Sequence, residues 1–162
     1  MARALLTVLL LIAATLACAT EIVGRVVAVA DGDTITVLDA EKRQHRIRLA
    51  GIDAPEKYQP FAHRSSENLS TLTFKKQATL DCYKTDPYKR KVCRVSVGGR
   101  DVALAQVQAG LAWHYKQYEK EQKPSERAAY ASAEADARAS GIGLWKQERP
   151  VAPWDFRRHG VK

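Results

Sequence analysis

Hydrophobic and polar positions alternate in three runs near the start of the chain: "EIVGRVVAVA" over 21–30, "TITVLDAE" over 34–41 and "QHRIRLAGI" over 44–52. The runs are rich in Val, Ile and Thr, and the turn-like segments "DGD" and "EKRQ" separate them, so three consecutive antiparallel strands are predicted. Beyond Pro55 the period changes. Phe61, Leu69 and Leu72 fall at helical spacing within residues 60–74, with Ser and Glu on the other faces. Strand composition returns in "ATLDCYK" and "VCRVSV", on either side of a charged loop at 84–91, and "GGR" breaks the chain again. "DVALAQVQAG" then reads as a helix with Asp101 as N-cap and Gly110 as its stop. A longer, alanine-rich helix is expected after Pro124, with Ser125 as cap and Gly141 as terminator.

Five short strands, a helix between the third and fourth, and two more helices make an α+β, mainly β, chain. That order is expected of a partly open five-stranded barrel of the OB type with three helices. A length of 162 residues suits one such domain. It is placed at 20–146, with a tail at 147–162 that carries two prolines, Trp154, Phe156 and paired arginines. The tail aromatics are expected to pack back on the domain rather than to form a single-strand stacking platform. No internal repeat interrupts this organisation.

The start of the chain belongs to a different class. "MARALLTVLLLIAATLACAT" has one positive charge, at Arg3, an apolar run from Ala4 to Leu16, and then small residues. The run is shorter than a membrane span requires, and "ACA" at 17–19 fits a signal-peptide cleavage site. Residues 1–19 are therefore expected to be a leader, and the product a periplasmic or secreted monomer beginning near Thr20, with no stable membrane span. An alternative processing at "TLAC" would make Cys18 a lipid-anchored first residue.

Charge and cysteines extend that picture. The formal net charge is +8, and loss of the leader removes Arg3 and no acid. A basic exported domain suits a polyanionic partner, although positive charge also serves solubility alone. Cleavage leaves Cys82 and Cys93 as a pair in an oxidising compartment. They flank the turn-like "YKTDPYKRKV" between two strand-forming runs, so a cross-strand disulfide is expected. With two thiols and no histidine close by in sequence, a zinc site is not.

The candidate chemistry lies in carboxylates. Asp31, Asp33, Asp53 and Glu56 sit at the ends of predicted strands, with Arg48 between them. Asp33 leaves the first turn, and Asp53 follows the third strand where Pro55 stops pairing. Brought to one rim, two such acids repel unless a cation joins them, and oxygen donors without Cys or His favour calcium or magnesium. Glu56 is placed to reach a water on that ion and act as a base. Arg48 and Arg90 are the guanidinium donors that a phosphodiester's developing charge calls for. His45 and His63 flank this region, but nothing in the chemistry requires a histidine.

Each of these features alone fits an ordinary hairpin turn or a solvated strand. In combination, "DGDT", "RLAGIDAPE" and "DPYKR", in this order and spacing, resemble the staphylococcal nuclease (thermonuclease) family. "AGLAW" and "GIGLW" are further landmarks, and the resemblance covers about Glu21 to Trp145. It implies an OB-type barrel that binds calcium and hydrolyses DNA and RNA to products ending in 3'-phosphate. By the same resemblance, Asp33 and Asp53 ligate calcium together with the backbone carbonyl of Ala54, and Glu56 orients or deprotonates the attacking water. Arg48 and Arg90 bind the scissile phosphate, Tyr88 contacts a terminal phosphate of the nucleotide, and Tyr115 matches a second nucleotide-contacting tyrosine with spacing one residue short.

Two departures bear on the site. Lys89 replaces the family's glycine in the Tyr-Gly-Arg turn, so either the turn differs or Lys89 is strained. Pro87 stands where the family carries a charge. If the register slips, Lys91 or Arg94 would stand in for Arg90. The competing functional class is an OB-type module that binds nucleic acid without cutting it.

Overall fold

A computed structural model describes residues 20–159, so the expected leader and Cys18 lie outside the described residues. In chain order the strands and α-helices are β1 (Thr20–Val29), β2 (Thr34–Asp39), β3 (Gln44–Leu49), β4 (Ile52–Asp53), α1 (Ala62–Thr73), β5 (Gln77–Thr85), β6 (Lys91–Val97), β7 (Arg100–Asp101), α2 (Val102–Gln108), β8 (Trp113–His114), α3 (Pro124–Ala139) and α4 (Pro153–Arg158). Two 3-10 turns, Lys116–Glu121 and Gly143–Lys146, complete the path.

The five long strands close on themselves. β1 pairs antiparallel with β2 and β5, β2 pairs with β3, and β5 pairs with β6. A parallel pairing of β3 with β6, Ile47 opposite Lys91 and Leu49 opposite Cys93, completes the ring. Closure leaves the five strands no long free edge, as an OB-type barrel requires. Their inward positions, among them Val26, Ile35, Val37, Ile47, Leu80 and Val95, form a buried core. Leu69 of α1, Val102 and Val107 of α2, and Tyr130 of α3 join it.

Local chemistry explains the helix ends. The Asp101 side chain accepts the Leu104 amide at 3.0 Å and also the Tyr130 hydroxyl, so the N-cap of α2 ties α2 to α3. Gly110 takes a positive φ just beyond α2, as expected of a stop. Ser125 is not the cap of α3. The N-cap is Lys123, two residues earlier, and Pro124 opens the helix, because proline supplies helical φ and gives up no needed donor there. Glu126 accepts the Lys123 amide at 3.0 Å.

The third predicted strand is also divided. β3 stops at Leu49, Gly51 turns the chain with φ 76°, and Ile52–Asp53 pairs instead with Trp113–His114. That left-handed conformation favours glycine, and a Cβ on Gly51 would also lie 2.6 Å from the tip of Gln122, at Nε2. Helix α4 adds a fourth helix to the three expected. A second cluster of Trp113, Leu144 and Ala152, with Phe61, Trp145 and Trp154 packed on it, docks the tail on the domain. Cys82 and Cys93 face each other across β5 and β6 and are joined as a disulfide.

Candidate active site

The register of β2 against β3 places Thr34 opposite Arg48, at the rim where the β1–β2 turn meets the end of β3. Asp33 precedes Thr34, and its backbone carbonyl accepts the Leu49 amide at 2.8 Å. Gly32 makes this turn fit. A Cβ there would lie 1.9 Å from Ser65 Oγ of α1. The wholly buried Gln106 of α2 donates to the Gly32 carbonyl at 2.7 Å and to the Ser65 carbonyl at 3.0 Å. Two helices thus fix the turn that carries Asp33.

Asp33 and Asp53 are 6% and 2% exposed. One nitrogen, Arg48 Nη2, lies 3.1 Å from Asp33 Oδ2 and 2.9 Å from Asp53 Oδ1, while Arg48 Nη1 donates to the Leu49 carbonyl at 2.8 Å. The two acids therefore share a cation, and removing it would strand buried charge. The Ala54 amide donates to Asp33 Oδ2 at 2.9 Å, so the chain just past Asp53 is stitched to Asp33. Burial pushes the Asp53 carboxyl above its ordinary value, while Arg157 and Arg48 pull the other way. Asp31 is pushed up to about 6 by burial and by the neighbouring charge of Asp33.

Arg90 reaches the same rim from the β5–β6 turn. Asp86 organises that turn by accepting the Tyr88 and Arg90 amides, each at 2.9 Å, and Arg90 Nε at 2.7 Å. Arg90 Nη1 donates to Thr34 Oγ1 at 3.2 Å, and that hydroxyl donates to Asp33 Oδ1 at 3.0 Å. No register slip occurs: Lys91 starts β6, and Arg94 is committed to Glu126 at 3.0 Å and to the Glu121 carbonyl at 2.9 Å. The turn is kept, and Lys89 adopts φ 61° to keep it. Tyr88, 75% exposed, stands at the tip of this turn.

Glu56 lies in the irregular segment just beyond Asp53 and Pro55, its amide donating to Gln59 Oε1 at 2.8 Å. Tyr115 is half-buried, and Trp154 stacks on it with ring centroids 5.2 Å apart and planes 10° from parallel. His45 and His63 pair with Asp39 and Glu67, and Asp39 lies at the far end of β2 from the carboxylate rim. A surface depression of about 380 Å³ lies alongside, lined by Lys57, Gln59, Phe61, Ala62, His63 and Arg64. It is a basic shoulder next to the carboxylates and not a cavity over them.

Several participants carry no motif of their own. Thr34 and Gln106 act through hydrogen bonds that need the folded register. Arg157 of α4 is a guanidinium about a hundred residues away in sequence, bonded to Asp53 and Glu56. The paired arginines of the tail were the sole signal, and pairing alone does not say where they point.

Among the described residues no three His, Cys, Asp or Glu side chains converge on one point. An ion here would have two carboxylates, backbone oxygen and water as ligands, a set in keeping with a hard cation. The donors present fit such an ion, since Asp33 and Asp53 already turn their oxygens to a common cation.

Comparison with known proteins agrees with this architecture. Residues 46–147 match the family model described as "Staphylococcal nuclease homologue". A Haemophilus influenzae protein named "Uncharacterized endonuclease" is 40% identical over 158 residues, covering 96% of this chain and 85% of its own. An Escherichia coli O157:H7 protein of the same name is 38% identical over 138 residues, 85% of this chain and 86% of its own. A Shigella flexneri protein named "Micrococcal nuclease" is 36% identical over 144 residues, 83% of this chain and 80% of its own. With its closed five-stranded barrel, its acid-lined rim and these relatives, the chain belongs to the staphylococcal nuclease family and is a nuclease.

Proposed function

We propose that the protein is an exported, calcium-dependent nuclease that hydrolyses phosphodiester bonds of DNA and RNA with little sequence preference, leaving 3'-phosphate ends. The observation that carries this reading is the meeting of Asp33 and Asp53 on one cation at the barrel rim, with Glu56 joined to Asp53 through Arg157.

Asp33, Asp53 and the carbonyl of Ala54 would hold calcium. The bound ion would neutralise phosphoryl charge and acidify a water molecule. Glu56 accepts the proton of the attacking water as its oxygen bonds to phosphorus. Arg48 and Arg90 bind the equatorial phosphoryl oxygens and stabilise the added charge of the five-coordinate state. The bond to the 5'-oxygen breaks, that oxygen takes up a proton from solvent water, and the phosphate stays on the 3' side. Tyr88 contacts a phosphate from the tip of its turn, and Tyr115 is taken as a second nucleotide-contacting tyrosine from the family resemblance alone. The hydrophobic leader at 1–19 supports export.

The test is release of acid-soluble nucleotides from single-stranded DNA and from RNA by residues 20–162, with calcium or with chelator, followed by end-group analysis. The reading expects release from both polymers, abolished by chelator, with 3'-phosphate ends. Chelator-resistant release or 3'-hydroxyl ends would contradict it. For export, protein recovered outside the cytoplasm should begin near Thr20.

A further inference from the structure

Arg157 is bound to the residues that the proposed reaction needs free. Its Nη2 lies 2.8 Å from Asp53 Oδ2, and its Nη1 lies 3.3 Å from Asp53 Oδ1 and 2.6 Å from Glu56 Oε1. Both oxygens of Asp53 are thereby engaged, one of them also by Arg48 at 2.9 Å. A cation that approaches Asp53 competes with two guanidinium groups for its oxygens. Glu56 Oε1 is held by the same guanidinium of Arg157.

The guanidinium can leave without its helix. α4 is docked through other groups: Ala152 and Pro153 are buried, Trp154 packs on Trp113 at 5.5 Å and on Tyr115 at 5.2 Å, and Gln59 Nε2 donates to the Val151 carbonyl at 3.0 Å. Arg157 sits in the last turn of that helix with a side chain 43% exposed, on a long flexible stem. Once displaced it remains tethered beside the site, with its charge unpaired. The anion that then arrives is a phosphodiester, whose paired oxygens match the planar fork of a guanidinium.

Resting on the proposed reaction, we propose that Arg157 is a third substrate-binding arginine. In the free protein it holds Asp53 and Glu56, and it passes to a substrate phosphate when the divalent cation takes Asp53. The tail is then one wall of the nucleic-acid site.

The test compares wild type with Arg157→Ala and Arg157→Gln in the full chain, with melting temperature and near-ultraviolet circular dichroism as checks on the fold. Calcium binding is measured calorimetrically without nucleic acid, and KM and kcat are measured on single-stranded DNA. Loss of a competing half-exposed ion pair should tighten calcium binding by about threefold. Loss of a charged hydrogen bond to phosphate should raise KM by about tenfold. Unchanged or weaker calcium binding would overturn the exchange, and an unchanged or lower KM would overturn the phosphate contact, the latter making the tail a plug. If wild type neither binds calcium nor cuts DNA, the proposed reaction itself fails. If wild type does both and the variants match it, this inference fails alone.

Discussion

Lys89 holds a backbone conformation, φ 61°, that side chains with a Cβ adopt at a cost of about 1 kcal/mol or more. The turn keeps it because Asp86 collects the amides of Tyr88 and Arg90 and the Arg90 side chain, which together outweigh the strain. Lys89→Gly is accordingly expected to raise the unfolding free energy by about 1 kcal/mol, read as a higher denaturant midpoint with an unchanged slope, and to leave turnover unimpaired. A fall in stability would mean that the lysine side chain has a structural role. Asp39 gives a pH effect of known sign. Its hydrogen bond with His45, then those with Arg43, hold its carboxyl well below the usual carboxylate range, against the opposing effect of burial. A depressed folded value stabilises the protein above the ordinary carboxylate value, and that contribution is lost as pH falls through the lower one. Asp39→Asn should therefore flatten the acid side of the stability curve, while stability differences between variant and wild type shrink towards low pH. A curve parallel to wild type in acid would contradict this. The acids and arginines of the site were legible because their spacing is a motif. The hydrogen bonds from Thr34 and Gln106 were not, since a lone threonine or glutamine gains its meaning from the residue opposite.

At the level of elements, the period-two runs marked the barrel strands and the change at Pro55 marked α1. The division of the third run into β3 and β4 escaped because the run stays apolar through Ile52, and the break depends on Gly51 meeting Gln122 and on a partner strand sixty residues away. Proline chemistry moved the start of α3, since Pro124 fills the first turn more readily than Ser125 caps it. The β5–β6 hairpin carries both Tyr88 and Arg90, and the Cys82–Cys93 bond crosses it at a directly opposed pair. Closing that short loop contributes about 3 kcal/mol. Reduction should lower turnover by more than it changes far-ultraviolet circular dichroism, because the barrel has four other strand pairings and the hairpin tip has one support fewer. Unchanged turnover in reductant, with the spectrum intact, would remove the bond from the functional account.

For the whole molecule, the order of strands and helices was enough to anticipate a five-stranded barrel, expected partly open and found closed by the pairing of β3 with β6, while the basic charge fitted a polyanionic partner and solubility alike. The position of the tail was not, because its contacts join residues about a hundred apart: Arg157 with Asp53 and Glu56, and Trp154 with Tyr115. Composition identified its aromatics as packing residues, which they are, but gave no direction for the arginines. The barrel, its two bracing helices and the docked tail bring charges of both signs to a single rim, and the central claim is that this rim cuts phosphodiesters with Glu56 as base. The most direct test is calcium-dependent release of acid-soluble nucleotides from single-stranded DNA, wild type beside Glu56→Gln, with calcium binding measured on both. The account predicts release by wild type that falls by about 100-fold or more in the variant while calcium still binds. Equal release by the two proteins would contradict it, as would no release from wild type alongside salt-sensitive DNA binding, the behaviour of a module that holds nucleic acid without cutting it.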